Sequence, residues 1–413
     1  MRRFLVVGAA TVAGCGLINA VVDPYGLFRW LDLPAFNEIK PRAAQASVAF
    51  KYRAVEQLRP ATLLLGNSRA EMGWDPQQLS PWPDAPAVNG AIPGSGIEGM
   101  LPLADHAWSV SAPAALLVGL EFFDCLDAGP AKVRAPVPAP VWSVHGRGPL
   151  RRIERLRELA SQALSLDATV DSLRTLWSQA SPNAAHLRRD GFQTARDYPA
   201  LQAIDGAYKM FQQRDQENAR ARAKAGAAHV QHADGSPAAC FDALDTLLDA
   251  ARGRGQRVSL ASYPYHARLL ETIALMGLWA DYEIWKTMLV ERVERHRHQG
   301  LVVALHDFGA YHAYAAERVP PPGSVASPRW YWESGHFRGE LGARMMSIMT
   351  GHAAPDGLFG VELRTQVLGT HLEAVRASRR EFASVQPDVV EEMERIVARA
   401  CHTVPGQGCA TQR

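Results

Sequence analysis

One short stretch, residues 61–75, constrains the fold of this chain more than any other. An apolar run, residues 61–65, ends in Gly66-Asn67-Ser68-Arg69, and residues that favour a helix follow. This pattern predicts a strand that passes through a tight turn directly into a helix. In an open α/β sheet such a turn lies at the carboxyl end of a strand, where ligands bind. Ser68 is therefore either a nucleophile or only the cap of the helix, since serine is a favoured cap residue.

Further apolar runs alternate with helical patterns along the chain. The other predicted strands are residues 87–89, 114–120, 258–261 and 301–305. Helical patterns lie between them, as over residues 97–108. Such alternation predicts an α/β fold with a central parallel sheet that helices cover on both faces.

Changes in composition divide the chain into segments. Proline-rich sequence begins near residue 128, and helical patterns then continue to residue 237. We interpret this part as a mostly helical insertion that overhangs the site or only decorates the fold, and its charged stretch 212–224 as a solvated helix face. The expected segments are a signal anchor or signal peptide (1–22), the two halves of the α/β domain (23–127 and 238–350), the insertion (128–237) and a helical C-terminal extension (351–413).

The amino terminus has the pattern of a membrane segment. Arg2 and Arg3 precede an apolar run over residues 4–22, close to the ~20 residues that span a bilayer. Positive charge before the run predicts a cytoplasmic amino terminus, with the rest of the chain in the periplasm if the cell is Gram-negative. We favour an uncleaved inner-membrane anchor over the alternatives, a cleaved signal peptide or a lipoprotein signal ending at Cys15.

Charge and cysteine usage narrow the function classes. The net charge is +2, from 44 Lys and Arg against 42 Asp and Glu, and this balance lacks the basic field typical of nucleic-acid binding. The five cysteines form no CxxC pair and no metal-ligand spacing, so neither a metal site nor another cofactor is predicted. Cys401 and Cys409 are close enough to close a small disulfide loop, or remain two free thiols.

A second motif supplies the partners that a serine nucleophile needs. In Glu333-Ser334-Gly335-His336 the acid and the histidine are three residues apart, and Gly335 permits a tight turn. The carboxylate can fold back to hold the imidazole tautomer while the other ring nitrogen faces a serine. An acid three residues before a histidine also occurs by chance, so a purely structural histidine is the alternative.

Taken together, these motifs resemble those of the SGNH/GDSL hydrolase superfamily. The stretch 66–69 resembles the first block, Gly-Asp-Ser-x, with Asn67 in place of the aspartate. Residues 89–94 resemble the second block, whose glycine supplies a backbone donor to the oxyanion, and Gly94 matches that glycine. The stretch 333–336 resembles the last block, Asp-x-x-His, with glutamate for aspartate.

The third block departs from the superfamily pattern. Glu121 stands where Gly-x-Asn-Asp has the asparagine that donates to the oxyanion. An ionised carboxylate beside a developing oxyanion would repel it, so Glu121 is protonated, points elsewhere, or leaves the third donor missing.

The resemblance implies a fold and a function. We expect a flavodoxin-like three-layer sandwich, with Ser68, Glu333 and His336 as catalytic residues and the amides of Ser68 and Gly94 as oxyanion donors. The chain is most similar to membrane-anchored extracytoplasmic members linked to bacterial cell-surface polysaccharides. The resemblance to these members implies an esterase or O-acyltransferase that removes or transfers acyl groups, usually acetyl, on exported polysaccharide.

Two other functions remain open at this point. One is a catalytically weak scaffold that binds polysaccharide or a membrane-bound acyltransferase, which Glu121 favours. The other is a lipid or thioester esterase near the membrane.

Six more side chains are candidates for substrate contacts. They are Arg69, Asn89, Glu121, His306, Asp307 and Trp332. Arg69 either contacts a carbohydrate or pairs with Glu71 or Asp75, and pairing is the favoured interpretation. Trp332 either stacks on a sugar or packs a loop against the core.

Overall fold

The computed structural model describes residues 1–79, 86–127, 139–140, 149–226 and 228–403. Its strands are β1 (Thr62–Leu65), β2 (Ala87–Asn89), β3 (Ala115–Leu120), β4 (Arg257–Ser262), β5 (Val302–Asp307), β6 (Tyr331–Glu333), β7 (His336–Phe337) and β8 (Val361–Glu362). Six of these form one sheet in the order β2-β1-β3-β4-β5-β8, and β6 pairs with β7 in a separate antiparallel hairpin. The first five strands of the sheet are parallel, and β8 is antiparallel to β5. The α/β prediction and its five strands are therefore confirmed.

The helices connect and cover these strands. They are α1 (Arg2–Val22), α2 (Ser47–Leu58), α3 (Ser68–Gly73), α4 (Ile97–Val110), α5 (Pro149–Ala163), α6 (Leu166–Ser178), α7 (Tyr198–Asp205), α8 (Ala207–Ala225), α9 (Ala239–Arg252), α10 (Ala267–Leu275), α11 (Trp279–His298), α12 (Gly339–Met349), α13 (Thr365–Val385) and α14 (Pro387–His402). Helices α2, α4, α9 and α11 pack side by side in one layer, whereas α3 packs against α12.

The strand that leads to Ser68 lies deep in the core. Leu63, Leu64 and Leu65 of β1 are fully buried between β2 and β3. Burying each of these side chains stabilises the fold by about 2 kcal/mol. The continuous apolar run is needed because helices cover both sides of a central parallel strand. The end of β1 is therefore a rigid support for the turn that follows it.

The apolar helix α1 is long and apolar enough to cross a membrane, judged by length and composition. Its last turn enters the fold, where Asn19 and Val22 are buried. Asp23 then turns the chain, since its carbonyl accepts the Gly26 N–H at 3.1 Å. Its carboxylate accepts the Leu27 N–H at 2.8 Å. The chain thus turns at residues 23–26, and these hydrogen bonds join the helix to the domain.

The insertion lies between β3 and β4, and its described part is mostly helical. Helices α5 and α6 contact α1, whereas α8 contacts β6 of the small hairpin. The proline-rich start of the insertion lies outside the described residues.

The C-terminal extension is part of the same fold. Strand β8 extends the sheet beside β5, and helices α13 and α14 follow. The buried carboxylate of Asp307 accepts hydrogen bonds from Lys286 of α11 and His371 of α13, both at 2.6 Å. The charge of Lys286 and the hydrogen bond from His371 outweigh the effect of burial and hold the pKa of Asp307 well below its usual range. The proposed substrate contact of Asp307 is therefore wrong, because its carboxylate fastens the extension to the sheet.

A disulfide that the sequence did not predict joins Cys125, just after β3, to Cys240 of α9. The two cysteines are 115 residues apart and bracket the insertion. Cys15 is a free, exposed thiol. The predicted pair of Cys401 with Cys409 cannot be placed, because Cys409 lies outside the described residues.

Candidate active site

The turn after β1 presents Ser68 at the first position of α3. Asn67 is the N-cap, because its side-chain oxygen accepts the Arg69 N–H at 3.0 Å. Asn67 thus takes the capping role that was the alternative for Ser68. The Ser68 hydroxyl is left for another partner, and the residue is half-buried at the protein surface.

The glycine of this turn is explained by a neighbouring tyrosine. The Tyr263 hydroxyl, at the end of β4, accepts the Asn67 N–H at 3.2 Å. The same phenol lies directly against Gly66, where a Cβ atom would collide with its oxygen. Gly66 therefore allows the close approach that holds the turn in place.

The β6–β7 hairpin brings a histidine to Ser68. The Nε2 atom of His336 lies 2.8 Å from the Ser68 Oγ, and the two residues are 268 positions apart in the chain. The other ring nitrogen, Nδ1, hydrogen-bonds Oε1 of Glu333, its register partner in the hairpin. Serine, imidazole and carboxylate therefore form one continuous hydrogen-bonded chain, the arrangement that activates a serine hydroxyl in hydrolases and transferases.

Glu333 is buried and held in its ionised form. Its Oε2 accepts the Gly335 N–H at 2.7 Å and lies 3.2 Å from Nε of Arg214. Burial would raise the pKa of this carboxyl, but His336, Arg214 and the Gly335 N–H outweigh it and lower the pKa to about 2. The carboxylate can therefore orient and stabilise the imidazolium that forms when His336 takes a proton.

Arg214 was missed from the sequence, where residues 212–224 were interpreted as a solvated face. One face of α8 is in fact buried, at Phe211, Asp215, Ala219 and Ala223. Asp215 accepts a hydrogen bond from Nε of Arg268 at 2.6 Å. The four-residue spacing of these side chains is the signal that could have revealed the buried face.

Glu121 stands where the superfamily has an asparagine that donates to the oxyanion. Its carboxylate is surrounded by one cationic and two neutral hydrogen-bond donors. It forms an ion pair with Arg69. It also accepts hydrogen bonds from Asn67 Nδ2 at 3.1 Å and from the Tyr265 hydroxyl at 2.5 Å. Its charge is therefore balanced by a buried guanidinium, and its oxygens point to these partners.

The favoured partners of Arg69 were wrong. Glu71 pairs instead with Lys51, at 3.1 Å, and Asp75 pairs with Arg188. Arg69 reaches across to Glu121 because α3 begins beside the end of β3, a contact between residues 52 positions apart. Burial acts to lower the pKa of Arg69, but the negative charge of Glu121 raises it by more. The pKa therefore lies above its usual value, and the guanidinium stays charged.

Replacing Glu121 by glutamine is expected to lower the free energy of unfolding by about 3 kcal/mol, because it leaves the Arg69 charge without its partner. Urea unfolding of the full chain measures this loss. The double variant Arg69→Met with Glu121→Gln removes both charges and should recover most of it. A single variant as stable as the unmodified chain would contradict the importance of the pair.

Asn89 was a candidate for substrate binding, and this prediction is wrong. The side chain is fully buried, and its amide donates to the carbonyls of Ala70 and Trp74, each at 2.8 Å. Its Oδ1 accepts the Ala91 N–H at 3.0 Å. Asn89 therefore fastens the loop after β2 to the end of α3.

The loop that carries Gly94 runs beside the Ser68 turn. The Gly90 N–H donates to Leu64 at 2.8 Å, and the Ile92 N–H donates to Gly66 at 3.0 Å. Gly94 is exposed and has a φ of 72°, a backbone conformation that favours glycine. Its amide belongs to a loop that is fixed to the strand leading to Ser68.

Two other candidates for substrate contact lie within the core. His306 is buried in β5, beside β8 and three positions along the sheet from β1. Trp332 is only 9% exposed. It packs against Tyr198 and under the guanidinium of Arg338, 3.8 Å from the ring centre. Both side chains are mostly buried, and Trp332 packs against its neighbours as the alternative interpretation expected.

In the part of the chain that the structure describes, no group of three or more His, Cys, Asp or Glu side chains is placed to hold a metal ion.

Comparisons with protein-family models, with curated proteins and with solved structures found no match to this chain.

Proposed function

We propose that this protein is a serine-dependent acyl esterase or O-acyltransferase of the SGNH/GDSL-like type. The observation that carries this proposal is the chain of hydrogen bonds from Ser68 Oγ through His336 to Glu333. Three residues from two distant segments meet in the order that nucleophilic catalysis requires. The order of the five parallel strands, β2-β1-β3-β4-β5, supports the flavodoxin-like expectation as well.

The reaction proceeds in two balanced steps. In the first, Nε2 of His336 takes the Ser68 proton while Oγ attacks the ester carbonyl. The tetrahedral intermediate collapses, the leaving alcohol receives that proton from His336, and an acyl-serine remains. In the second step His336 takes a proton from water or from a sugar hydroxyl, whose oxygen attacks the acyl-serine. Ser68 leaves with the proton, and the acyl group departs as a carboxylic acid or as a new ester.

The backbone amides of Ser68 and Gly94 are the proposed donors to the oxyanion. Among the described residues, neither of these amides has a hydrogen-bond partner in the protein. The side-chain amide of Asn67 is already bound to Glu121 and so does not serve here. In this proposal the two backbone donors stabilise the developing oxyanion without a third donor from a side chain.

We place the catalytic domain on the periplasmic side of the inner membrane. Arg2 and Arg3 before the apolar helix favour a cytoplasmic amino terminus. The Cys125–Cys240 disulfide supports the same orientation, because such bonds persist in oxidising compartments. An acyl ester on an exported polysaccharide is a substrate within reach of a domain anchored there.

The proposal is tested with an acetylated oligosaccharide that does not cross membranes, added to intact spheroplasts that produce the full chain. We expect the acetyl group to be released as acetate or to appear on an added unacetylated sugar, without lysis. Acetate alone identifies an esterase, and acetylated acceptor identifies a transferase. No change in either pool, with the protein present in the membrane, would contradict the proposed function and orientation.

The scaffold alternative loses the feature that favoured it. It was suggested by Glu121, whose charge is neutralised by Arg69 in a buried ion pair. The residue in this position therefore has a structural role that is compatible with catalysis.

A further inference from the structure

The two helices α5 and α6 form a hairpin with a large exposed apolar surface. The apolar side chains that face solvent there are Ile153, Leu156, Leu164, Leu166, Leu173 and Trp177, from 53% to 89% exposed. Leu164 and Leu166 lie at the tip where the two helices meet. We call this surface the hairpin face. So many large exposed apolar groups on two adjoining helices indicate a site of interaction.

The tip of the hairpin is fixed against the apolar helix α1. A Cβ atom at Gly16 would lie 2.6 Å from Cδ2 of Leu164, so the glycine lets the two segments touch. The side-chain amide of Asn19 donates to the carbonyl of Ala163 at 2.8 Å and to Thr169 Oγ1 at 2.9 Å. The polar side chain that interrupts the apolar run is thus satisfied by the hairpin, which contacts α1 along Gly16 to Asn19.

The length of α1 determines how deep this contact lies. All of its 21 residues extend over about 31 Å, whereas the hydrocarbon core of a bilayer is about 30 Å thick. The part before Gly16 extends over only about 21 Å and cannot span that core alone. If α1 crosses the membrane, Gly16 and Asn19 therefore lie at or within its boundary, together with the hairpin tip that contacts them.

The end of α1 has the polar contacts expected at a membrane surface. The carbonyl of Val22 accepts hydrogen bonds from Asn37 Nδ2 at 3.2 Å and from Lys40 Nζ at 3.3 Å. Directly beyond, Trp30 is 62% exposed. Trp30 and Trp177 are exposed aromatic residues of the type that collects at the boundary between lipid and water.

We propose that the α5–α6 hairpin face is buried in the lipid interface at the C-terminal end of α1, with a lipid bilayer as its occupant. The composition of α5 fits this position. Exposed Arg152 and Arg157 lie on the same helix as exposed Ile153 and Leu156. A helix of this kind lies in the interface plane, with its cations among the lipid head groups.

This contact gives the insertion a function in the architecture. Its first two helices, α5 and α6, contact the lipid bilayer, and Arg214 of its α8 forms an ion pair with Glu333. The domain is therefore attached to the bilayer at two places, the span and the hairpin, which fixes its orientation above the surface.

The test uses the full chain in nanodiscs, with a fluorophore on a single introduced cysteine. The parent carries Cys15→Ser, Cys401→Ser and Cys409→Ser, and keeps the Cys125–Cys240 disulfide. Labels are placed at Leu166→Cys and Leu173→Cys in the hairpin face and at Val7→Cys in α1. Val325→Cys is the matched control, since Val325 is an apolar residue that is 90% exposed and belongs neither to α1 nor to the hairpin face. Each sample is measured with and without a lipid that carries a nitroxide quencher near its head group.

We expect the nitroxide lipid to remove roughly half of the emission at Leu166→Cys and Leu173→Cys and hardly any at Val325→Cys. Quenching at Val7→Cys confirms that α1 is inserted. Three results would overturn the proposal. Labels in the hairpin face could be quenched no more than the control, or their emission wavelength could shift without quenching because another protein chain covers them. The third is a label at Val7→Cys that the nitroxide lipid does not quench.

Discussion

Replacing Ser68 by alanine is expected to abolish ester turnover, with kcat falling by about 10⁶-fold toward the uncatalysed rate. The variant removes the Oγ atom that lies 2.8 Å from Nε2 of His336 and that we propose attacks the carbonyl. Release of nitrophenol from p-nitrophenyl acetate by the full chain in nanodiscs measures the loss.

The fold should survive the Ser68→Ala change. Asn67, and not Ser68, caps α3, so the thermal unfolding midpoint is expected to stay within about 2 °C of the unmodified chain. Ser384→Ala is the matched control, because Ser384 is exposed on α13 and bonds only its own helix at 2.8 Å. Turnover by Ser68→Ala within tenfold of this control would contradict the assignment of the nucleophile.

Replacing Glu333 by glutamine is expected to lower kcat by about 10⁴-fold. The carboxylate accepts a hydrogen bond from Nδ1 of His336 and so leaves Nε2 as the acceptor that faces Ser68. A glutamine amide can present N–H to the ring and favour the wrong tautomer. Steady-state kinetics on the same ester measure the effect. A loss below tenfold would mean that Glu333 does not orient the base.

The pH dependence of the reaction tests whether Glu333 stays ionised. The pKa of Glu333 is lowered from 4.5 to about 2, so its carboxylate is ionised throughout the usual assay range. Because the folded-state pKa is depressed, this ionisation stabilises the fold above about pH 4.5 and its contribution is lost as the pH falls through about 2. The acid limb of kcat/KM should therefore contain no proton step that belongs to Glu333 between pH 3 and 5. A proton step in that range that disappears in Glu333→Gln would contradict an ionised, well-paired Glu333.

The parts of the site that the sequence predicts are the local ones. The strand, glycine and serine of residues 62–68 form one continuous unit, and the apolar run alone indicates its burial. Glu333 and His336 are three residues apart, so a single hairpin turn at Gly335 brings their side chains together. That Glu333 and His336 act together with Ser68 was an expectation from the resemblance to the SGNH/GDSL superfamily, and in the structure His336 contacts Ser68.

The contacts that sequence reasoning missed join residues far apart in the chain. Arg69 has acidic neighbours at positions 71 and 75, yet it pairs with Glu121, because α3 begins against the end of β3. Arg214 lies on a helix with many charged residues. It becomes the partner of Glu333 because α8 packs against the β6–β7 hairpin. Neither choice depends on local propensity, so no pattern within one segment could identify it.

Long-range contacts also explain why three candidates for substrate contact are held inside the fold. His306 and Asp307 are the last two residues of β5, and this strand lies beside β8 and the extension, which bury both side chains. An edge strand and a docked helix from beyond residue 350 cannot be inferred from the strand itself. Asn89 is also held by a contact that its own segment does not predict, because its side-chain amide donates hydrogen bonds to carbonyls at the end of α3.

The central claim is that Ser68 carries an acyl group during turnover. Mass spectrometry of the full chain after brief incubation with p-nitrophenyl acetate tests it most directly. We predict one acetyl group on the peptide that contains Ser68, absent in Ser68→Ala and in His336→Ala. Nitrophenol release by the unmodified chain with no adduct on that peptide, or the same adduct on another residue in Ser68→Ala, would contradict the claim.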